Sequence, residues 1–178
     1  MYPVGSTTDT ITAFYTAFGQ RDHEAMAACY HPDIRFSDPV FTDLEGDEAR
    51  AMWHMLCEHG RDLEVSVSDI RGDESAGKAH WEATYTFSPT GRTVRNQIDA
   101  SFTFEDGLII EHTDSFDLWA WTRMALGPIG YATGWMNLSK EKVREAGQVQ
   151  LNRFLEAHPE YQSDRQPPPN PDTDTDEP

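Results

Sequence analysis

The chain predicts an α+β domain, an antiparallel sheet with helices covering one face. Two observations carry this. Up to Gly60 apolar residues recur at helical spacing, and from Leu63 to Asp117 apolar and polar residues alternate with period two. A third is the set of turn signals, Gly72-Asp73-Glu74, Ser88-Pro89-Thr90-Gly91 and Glu105-Asp106-Gly107, which divide the second region into strands joined by short connections.

The first helix is expected over Asp9 to Gly19, with Ile11, Phe14, Tyr15 and Phe18 on one side and Thr8 or Asp9 as N-cap. Asp22 can cap a short second helix carrying Ala25, Met26 and Cys29, stopped by His31-Pro32. Ile34-Arg35-Phe36 reads as a short strand running into Ser37-Asp38-Pro39. Asp47 can open a third helix with Met52, Trp53, Leu56 and Cys57 on its apolar side, and Gly60 closes it. Four strands follow. Leu63, Val65 and Val67 mark the first, and Trp81, Ala83, Tyr85 and Phe87 the second. Asn96, Ile98, Ala100, Phe102 and Phe104 mark the third, and Leu108 to Phe116 the last. Beyond them, Leu118 to Leu126 looks helical and ends at Gly127-Pro128. A loop through Gly130 and Gly134 leads to a helix capped by Ser139, with Val143, Gly147, Leu151, Phe154 and Leu155 as its stripe. The organisation expected is an α+β domain at 6–118, a helical extension packed on it at 119–161, and a disordered acidic, Pro-rich tail at 162–178.

With 178 residues, the chain is long enough to bury a core without disulfides or metals. Cys29 and Cys57 fall in predicted helices and read as small core residues. The formal charge is −17, with 31 acidic against 14 basic residues, so nucleic acid and anionic membrane surfaces are poor partners. No apolar run approaches the roughly 20 residues of a membrane span, and Met1 to Ser6 lacks the features of a secretion signal. A cytoplasmic location is the expectation.

The last strand carries the chemistry. Ile110, His112, Asp114 and Phe116 share one face by alternation, so a His and an Asp sit among apolar residues. Such groups are paired, neutralised or turned toward a polar cavity. Two readings stay open for the pair, a self-satisfied core interaction or a polar anchor for a ligand. Asp38 is open in the same way, as a turn residue before Pro39 or as a base raised by an apolar cavity. Trp53, Trp81, Trp119, Trp121 and Trp135 are core, interface or ligand platform. His112, Asp114, Asp38 and His54 show neither helical His spacing nor a Cys pair, so no metal and no cofactor is expected. Gly127, Gly130 and Gly134 lack the context of a phosphate loop.

Several short motifs in this order form a pattern: Phe14-Tyr15, Gly19-Gln20-Arg21-Asp22, Phe36-Ser37-Asp38-Pro39, Phe104-Glu105-Asp106-Gly107 and His112-Thr113-Asp114-Ser115-Phe116. The pattern resembles the nuclear transport factor 2-like superfamily over Thr8 to Asp117, and more narrowly its SnoaL-like and ketosteroid isomerase-like families. The resemblance implies a strongly curved sheet closed by the N-terminal helices into a conical pocket, and homodimers formed through the convex face. It puts Asp38 where ketosteroid isomerases hold their proton-abstracting carboxylate, and Asp114 on the strand where SnoaL-type cyclases carry an acid/base Asp. The isomerases' oxyanion donors fall on Phe14 and Ala100, which cannot donate, so steroid isomerisation by that route does not follow. The implied catalytic set is Asp38, His112 and Asp114. The implied substrate contacts are Phe14, Tyr15, Trp53, Trp81, Tyr85, Phe87, Ile98, Phe102 and Phe116. Two functions fit. One is a cofactor-independent acid/base enzyme (isomerase, cyclase or dehydratase) on a small apolar carbonyl or hydroxyl compound. The other is a non-catalytic ligand-binding or protein-interaction module.

Overall fold

The computed structural model describes residues 6–132 and 140–161, the side chains of 128–132 excepted. Helix α1 (Thr7–Gly19) begins earlier than spacing suggests, because Ser6 rather than Thr8 or Asp9 is its cap. The Ser6 hydroxyl accepts the Asp9 amide and the Asp9 carboxylate accepts the Ser6 amide, so the pair satisfies two otherwise orphaned donors. Helix α2 (His23–Ala28) opens on Asp22, whose carboxylate accepts the Ala25 amide at 3.0 Å. Helix α3 (Asp47–His59) has Asp47 and Glu48 in its first turn and His59 in its last, complementing the helix dipole, and ends at Gly60.

The strands are β1 (Tyr30–Ser37), β2 (Leu44–Glu45), β3 (Glu64–Gly72), β4 (Ala76–Phe87), β5 (Arg92–Glu105) and β6 (Leu108–Ser115). They form one curved, unclosed sheet in the order β2-β1-β6-β5-β4-β3. The meander β3 to β6 is antiparallel, as alternation predicts. Strand β1 differs from the expectation twice: it starts at Tyr30, well before Ile34, and it runs parallel to β6, with Phe36 beside His112. The connection back to the sheet's far end is long enough for a parallel neighbour.

A second correction concerns Ile110. Thr103 pairs with Glu111, but Phe104 pairs with Ile109, so one extra residue bulges from β6. Ile109 is thereby fully buried opposite Phe104, and Ile110 is only half-buried. Past the bulge the alternation holds: His112 faces inward beside Phe102, and Asp114 beside Ala100. The convex face is hydrophilic. There His80 Nδ1 lies 2.8 Å from Asp99 Oδ1, and Arg95 donates to Glu82 at 2.7 Å.

Helix α4 (Leu118–Ala132) breaks at Gly127 (φ 55°, ψ −155°), as Gly127-Pro128 suggests. A side chain at Gly127 would collide with the Arg92 guanidinium, which is held where its Nε donates to the Met124 carbonyl at 2.8 Å. Helix α5 (Lys140–Ala157) buries Leu151, Phe154 and Leu155 in the same core as α1 and α3. Its Gly147 lies so close to Val40 that a Cβ there would come within 2.7 Å of the Val40 methyl. The Ser139 cap and the tail from Gln162 fall outside the described residues.

Because Leu151 is fully buried, Leu151→Ala should cost about 2–5 kcal/mol in urea denaturation. A loss under about 0.5 kcal/mol, the scale of surface substitutions, would mean that α5 does not share the domain core.

Candidate functional site

The narrow end of the cone is filled by aromatic rings around a buried line of polar groups. Trp53 Nε1 donates to Tyr30 Oη at 2.7 Å, and Tyr30 Oη lies 2.7 Å from His112 Nδ1. His112 Nε2 lies 3.0 Å from Asp114 Oδ1, which also accepts from Trp81 Nε1 at 3.3 Å. The indole can only donate, so the line runs in one direction. The Tyr30 hydroxyl donates to Nδ1, and Nε2–H donates to the carboxylate, a tautomer assigned from its partners. His112 is fully buried and Asp114 is 4 % exposed. Burial and the Asp114 charge both push the Tyr30 phenol well above its ordinary range.

Rings seal this line. His112 stacks on Trp53 (5.8 Å between centroids, 16° between planes) and touches Phe14, Phe36 and Phe102. Tyr15 packs on Trp81 and Phe102, and Phe18 on Trp53 and Trp81. Of the expected contacts, Phe14, Tyr15, Trp53, Trp81, Ile98 and Phe102 therefore sit in the packed inner cone, all buried. Tyr85, Phe87 and Phe116 are half-buried toward the wide end. Two polar atoms of the inner cone keep unused capacity. Among the described residues the buried Tyr15 hydroxyl has no hydrogen-bond partner, and the bonds to Asp114 from Trp81 and His112 both fall on Oδ1. The Asp114 charge acts on Tyr15, adding to burial in raising its phenol.

Asp38 stands at the wide end, half-buried, where β1 runs into Pro39. Its Oδ1 accepts the Val40 amide at 2.6 Å and the Phe41 amide, and its own amide donates to the Phe41 carbonyl at 2.7 Å. The turn fixes one carboxylate oxygen and leaves Oδ2 without a donor among the described residues. Burial raises its pKa from 3.8 to about 7; the Asp114 charge pushes the same way, and the two amides and Arg144 pull against it. Tyr85 is near enough to feel the Asp38 charge, which together with burial raises its phenol. Trp121 Nε1 donates to Tyr85 Oη at 2.8 Å, and the tyrosine's own O–H has no acceptor among the described residues.

Sequence reasoning missed several of these groups. Tyr30 had no periodic signal, because the register to β6 shifts between Tyr30 and Arg35 and Pro32, of the same parity, is exposed. Asn96 lies on the concave face between Val94 and Ile98, opposite Ala83, half-buried and with no described hydrogen-bond partner. Its polar character in an apolar alternation was legible. Trp121 is among the tryptophans that the sequence leaves open as a ligand platform, but its place beside Tyr85 has no sequence signal, and neither has Arg144, whose Nε donates to the Pro39 carbonyl at 3.1 Å.

The SnoaL-like domain profile matches residues 11–112, more than half of the chain, and the chain belongs to that family. The fold is that of nuclear transport factor 2-like proteins. One similar structure, from Jannaschia sp. CCS1, is named as a SnoaL-like polyketide cyclase candidate. It is 20 % identical, with 72 % of this chain and 97 % of that one covered and a TM-score of 0.62. A second is an epoxide hydrolase from M. tuberculosis of the LEH-like type, 19 % identical, covering 72 % and 96 %, TM-score 0.56. A third, from Streptomyces galilaeus, is named as a candidate hydroxylase; it is 20 % identical, covering 70 % and 84 %, TM-score 0.56. Three different activities on one scaffold leave the reaction to the site rather than the fold. Among curated proteins none matches.

The elevated Asp38 pKa has a sign. Between about pH 4 and 7 the folded chain holds a proton that the unfolded chain has released, so wild-type stability is lost as pH rises across that window. Asp38→Asn keeps an acceptor for the two amides and has no such dependence. Its stability relative to wild type should rise from pH 4 to pH 7 and then level off in urea denaturation. A difference that is flat over that range would mean Asp38 titrates as an ordinary aspartate.

Proposed function

We propose that the protein binds a small apolar carbonyl or hydroxyl compound at the wide end of the cone and moves a proton on it with Asp38, as a cofactor-independent isomerase, cyclase or dehydratase. One observation carries this reading: a half-buried carboxylate with one oxygen fixed by a turn, the other without a donor among the described residues, and a pKa pushed up by burial to about 7. A base is most useful with a pKa near the working pH, and placing one there costs stability, as functional sites often do.

In the proposed step the free Asp38 Oδ2 removes a proton from carbon beside the carbonyl. Tyr85 then donates its unused O–H to the oxygen on which charge develops, held in place by Trp121. Returning the proton from Asp38 to another carbon completes an isomerisation. Tyr85, Phe87 and Phe116 would contact the substrate directly, and Asn96 offers a further polar contact. Asp114 would act from behind, its charge helping to keep the Asp38 pKa high, with His112 bonded to its carboxylate. The ring-on-ring packing of Phe14, Tyr15, Trp53, Trp81 and Phe102 supports the second reading, a binding module without turnover, because it leaves the inner cone to structure.

Exchange at carbon separates the two without the natural substrate. With 2-tetralone in D2O, wild type should accelerate deuterium incorporation beside the carbonyl. The rate should rise with pH and level above about 7. Asp38→Asn should lower it by about 10² or more, and Tyr85→Phe by about 10²–10³. Exchange at the buffer rate, with 2-tetralone bound, would overturn the catalytic reading in favour of the binding one.

No described helix is long and apolar enough to cross a membrane, and a cytoplasmic location is part of this proposal. So is a homodimer through the convex face. The His80–Asp99 and Arg95–Glu82 pairs there present both signs of charge, so two copies related by a two-fold axis could complement each other. Sedimentation velocity at micromolar concentration should find a dimer; a monomer rejects this assembly.

A further inference from the structure

Outside the cone, three side chains from two distant parts of the chain bring metal-ligand atoms together. His54 and Glu58 are one helical turn apart on α3, and His158 follows the end of α5. His54 Nε2 lies 3.2 Å from Glu58 Oε1, and His158 Nε2 lies 3.8 Å from the same oxygen. All three ligand atoms fall within 4.8 Å of one another. A tetrahedral zinc with bonds of about 2.0–2.1 Å places its ligands about 3.3–3.4 Å apart. One of these separations is close to that already, and the others need shifts of about 1.5 Å or less, within reach of side-chain rotation.

The rings are oriented as ligands are. His158 Nδ1 is 2.9 Å from the Phe154 carbonyl, which can only accept, so the proton of the neutral ring is on Nδ1 and the Nε2 lone pair faces Glu58. In that neutral form two acceptors face each other at 3.8 Å, a gap that a metal ion, or a proton on Nε2, would fill. His54 Nδ1 is engaged by the Tyr161 hydroxyl at 3.1 Å, which turns its Nε2 to the same point. Each imidazole is braced by a stacked ring: His23 lies 3.5 Å from His54 between centroids, and Phe154 lies 3.9 Å from His158. Glu58 is 51 % exposed, so the cluster opens to solvent on one side and a water can take the fourth position.

We propose that His54, Glu58 and His158 form a divalent transition-metal site, suited to Zn2+ with a water as fourth ligand, that fastens α5 to α3. Two imidazole nitrogens and a carboxylate are borderline donors, which suit zinc and not the all-oxygen shells of magnesium or calcium. The site lies at one end of α5. At the other, Arg144 and Gly147 rest on the Pro39–Phe41 turn. Metal bound at the first end would thus hold the helix that covers the Asp38 turn.

The test uses the full-length chain, stripped with EDTA and then titrated with ZnCl2 alone against a chromophoric chelator. Wild type should take one Zn2+ per chain and melt several degrees higher with it, and CoCl2 alone should give the visible bands of a tetrahedral site. Glu58→Gln and His158→Gln, both at partly exposed positions, should each weaken Zn2+ by about 10-fold or more and abolish the thermal shift. His59→Ala, an exposed histidine outside the cluster, should change neither. Far-ultraviolet circular dichroism of each variant without metal verifies the fold. Failure of wild type to bind Zn2+, or equal binding by wild type and both cluster variants, would overturn the proposal. Neither result bears on the Asp38 reading, because no activity is measured.

Discussion

The structure depends on satisfying His112 and Asp114 in a place that water does not reach. An unpaired carboxylate at that depth would cost several kcal/mol, and removing one member of a buried pair costs about 3–5 kcal/mol. The chain meets this with four partners from four elements: Trp53 from α3, Tyr30 from the start of β1, His112 from β6 itself and Trp81 from β4. Each bond demands a register. Tyr30 reaches His112 only because β1 runs parallel to β6, and Trp81 reaches Asp114 across β5 only because Ala100, opposite Asp114, is small. A slip of one residue would turn His112 and Asp114 to solvent and break every link. The polar line therefore specifies one pairing among those the apolar pattern alone would permit.

That same line divides the cone into two zones with different tasks. Inside, every large ring touches another and His112 has no exposed surface, as expected of a packed core. Outside, Asp38, Tyr85 and Asn96 keep hydrogen-bonding capacity that no described residue uses. The Asp38 turn is held by its own backbone and by α5, so its carboxylate is fixed in position yet uncomfortable when charged. Rigid positioning combined with an electrostatic penalty is how a fold keeps a reactive group ready.

Local physics made much of this legible. The α+β plan, the Asp22 cap, the α3 boundaries, the hairpin at Ser88–Gly91 and the inward face of His112 and Asp114 all follow from spacing within a dozen residues. What the sequence hid is long-range. Whether β1 lies parallel to β6 depends on its partner, and the bulge at Ile110 appears only once Phe104 has chosen Ile109. Trp121 and Arg144 come to the site from helices whose docking leaves no periodic trace. His54 and His158 are too far apart in sequence for spacing to link them, and helical spacing alone relates His54 only to Glu58, a surface ion pair of ordinary kind.

The apolar residues at 14 and 100 explain why the proposed chemistry sits at the wide end. The resemblance to ketosteroid isomerases would set the donors for the reacting oxygen at those positions. Here the Phe14 ring stacks on Tyr30 at 5.2 Å and meets His112 edge-on, while Ala100 gives Trp81 and Asp114 room to meet. Both positions are committed to the polar line, so restoring a donor at either would disturb it. A donor for a developing oxyanion must then come from elsewhere on the concave face. Tyr85 lies further along β4 on the same side as Trp81, and its O–H, with Trp121 on its lone pair, has no acceptor among the described residues. On the proposed reading the C-terminal extension braces the site, through Trp121 on Tyr85 and Arg144 on the Pro39 carbonyl.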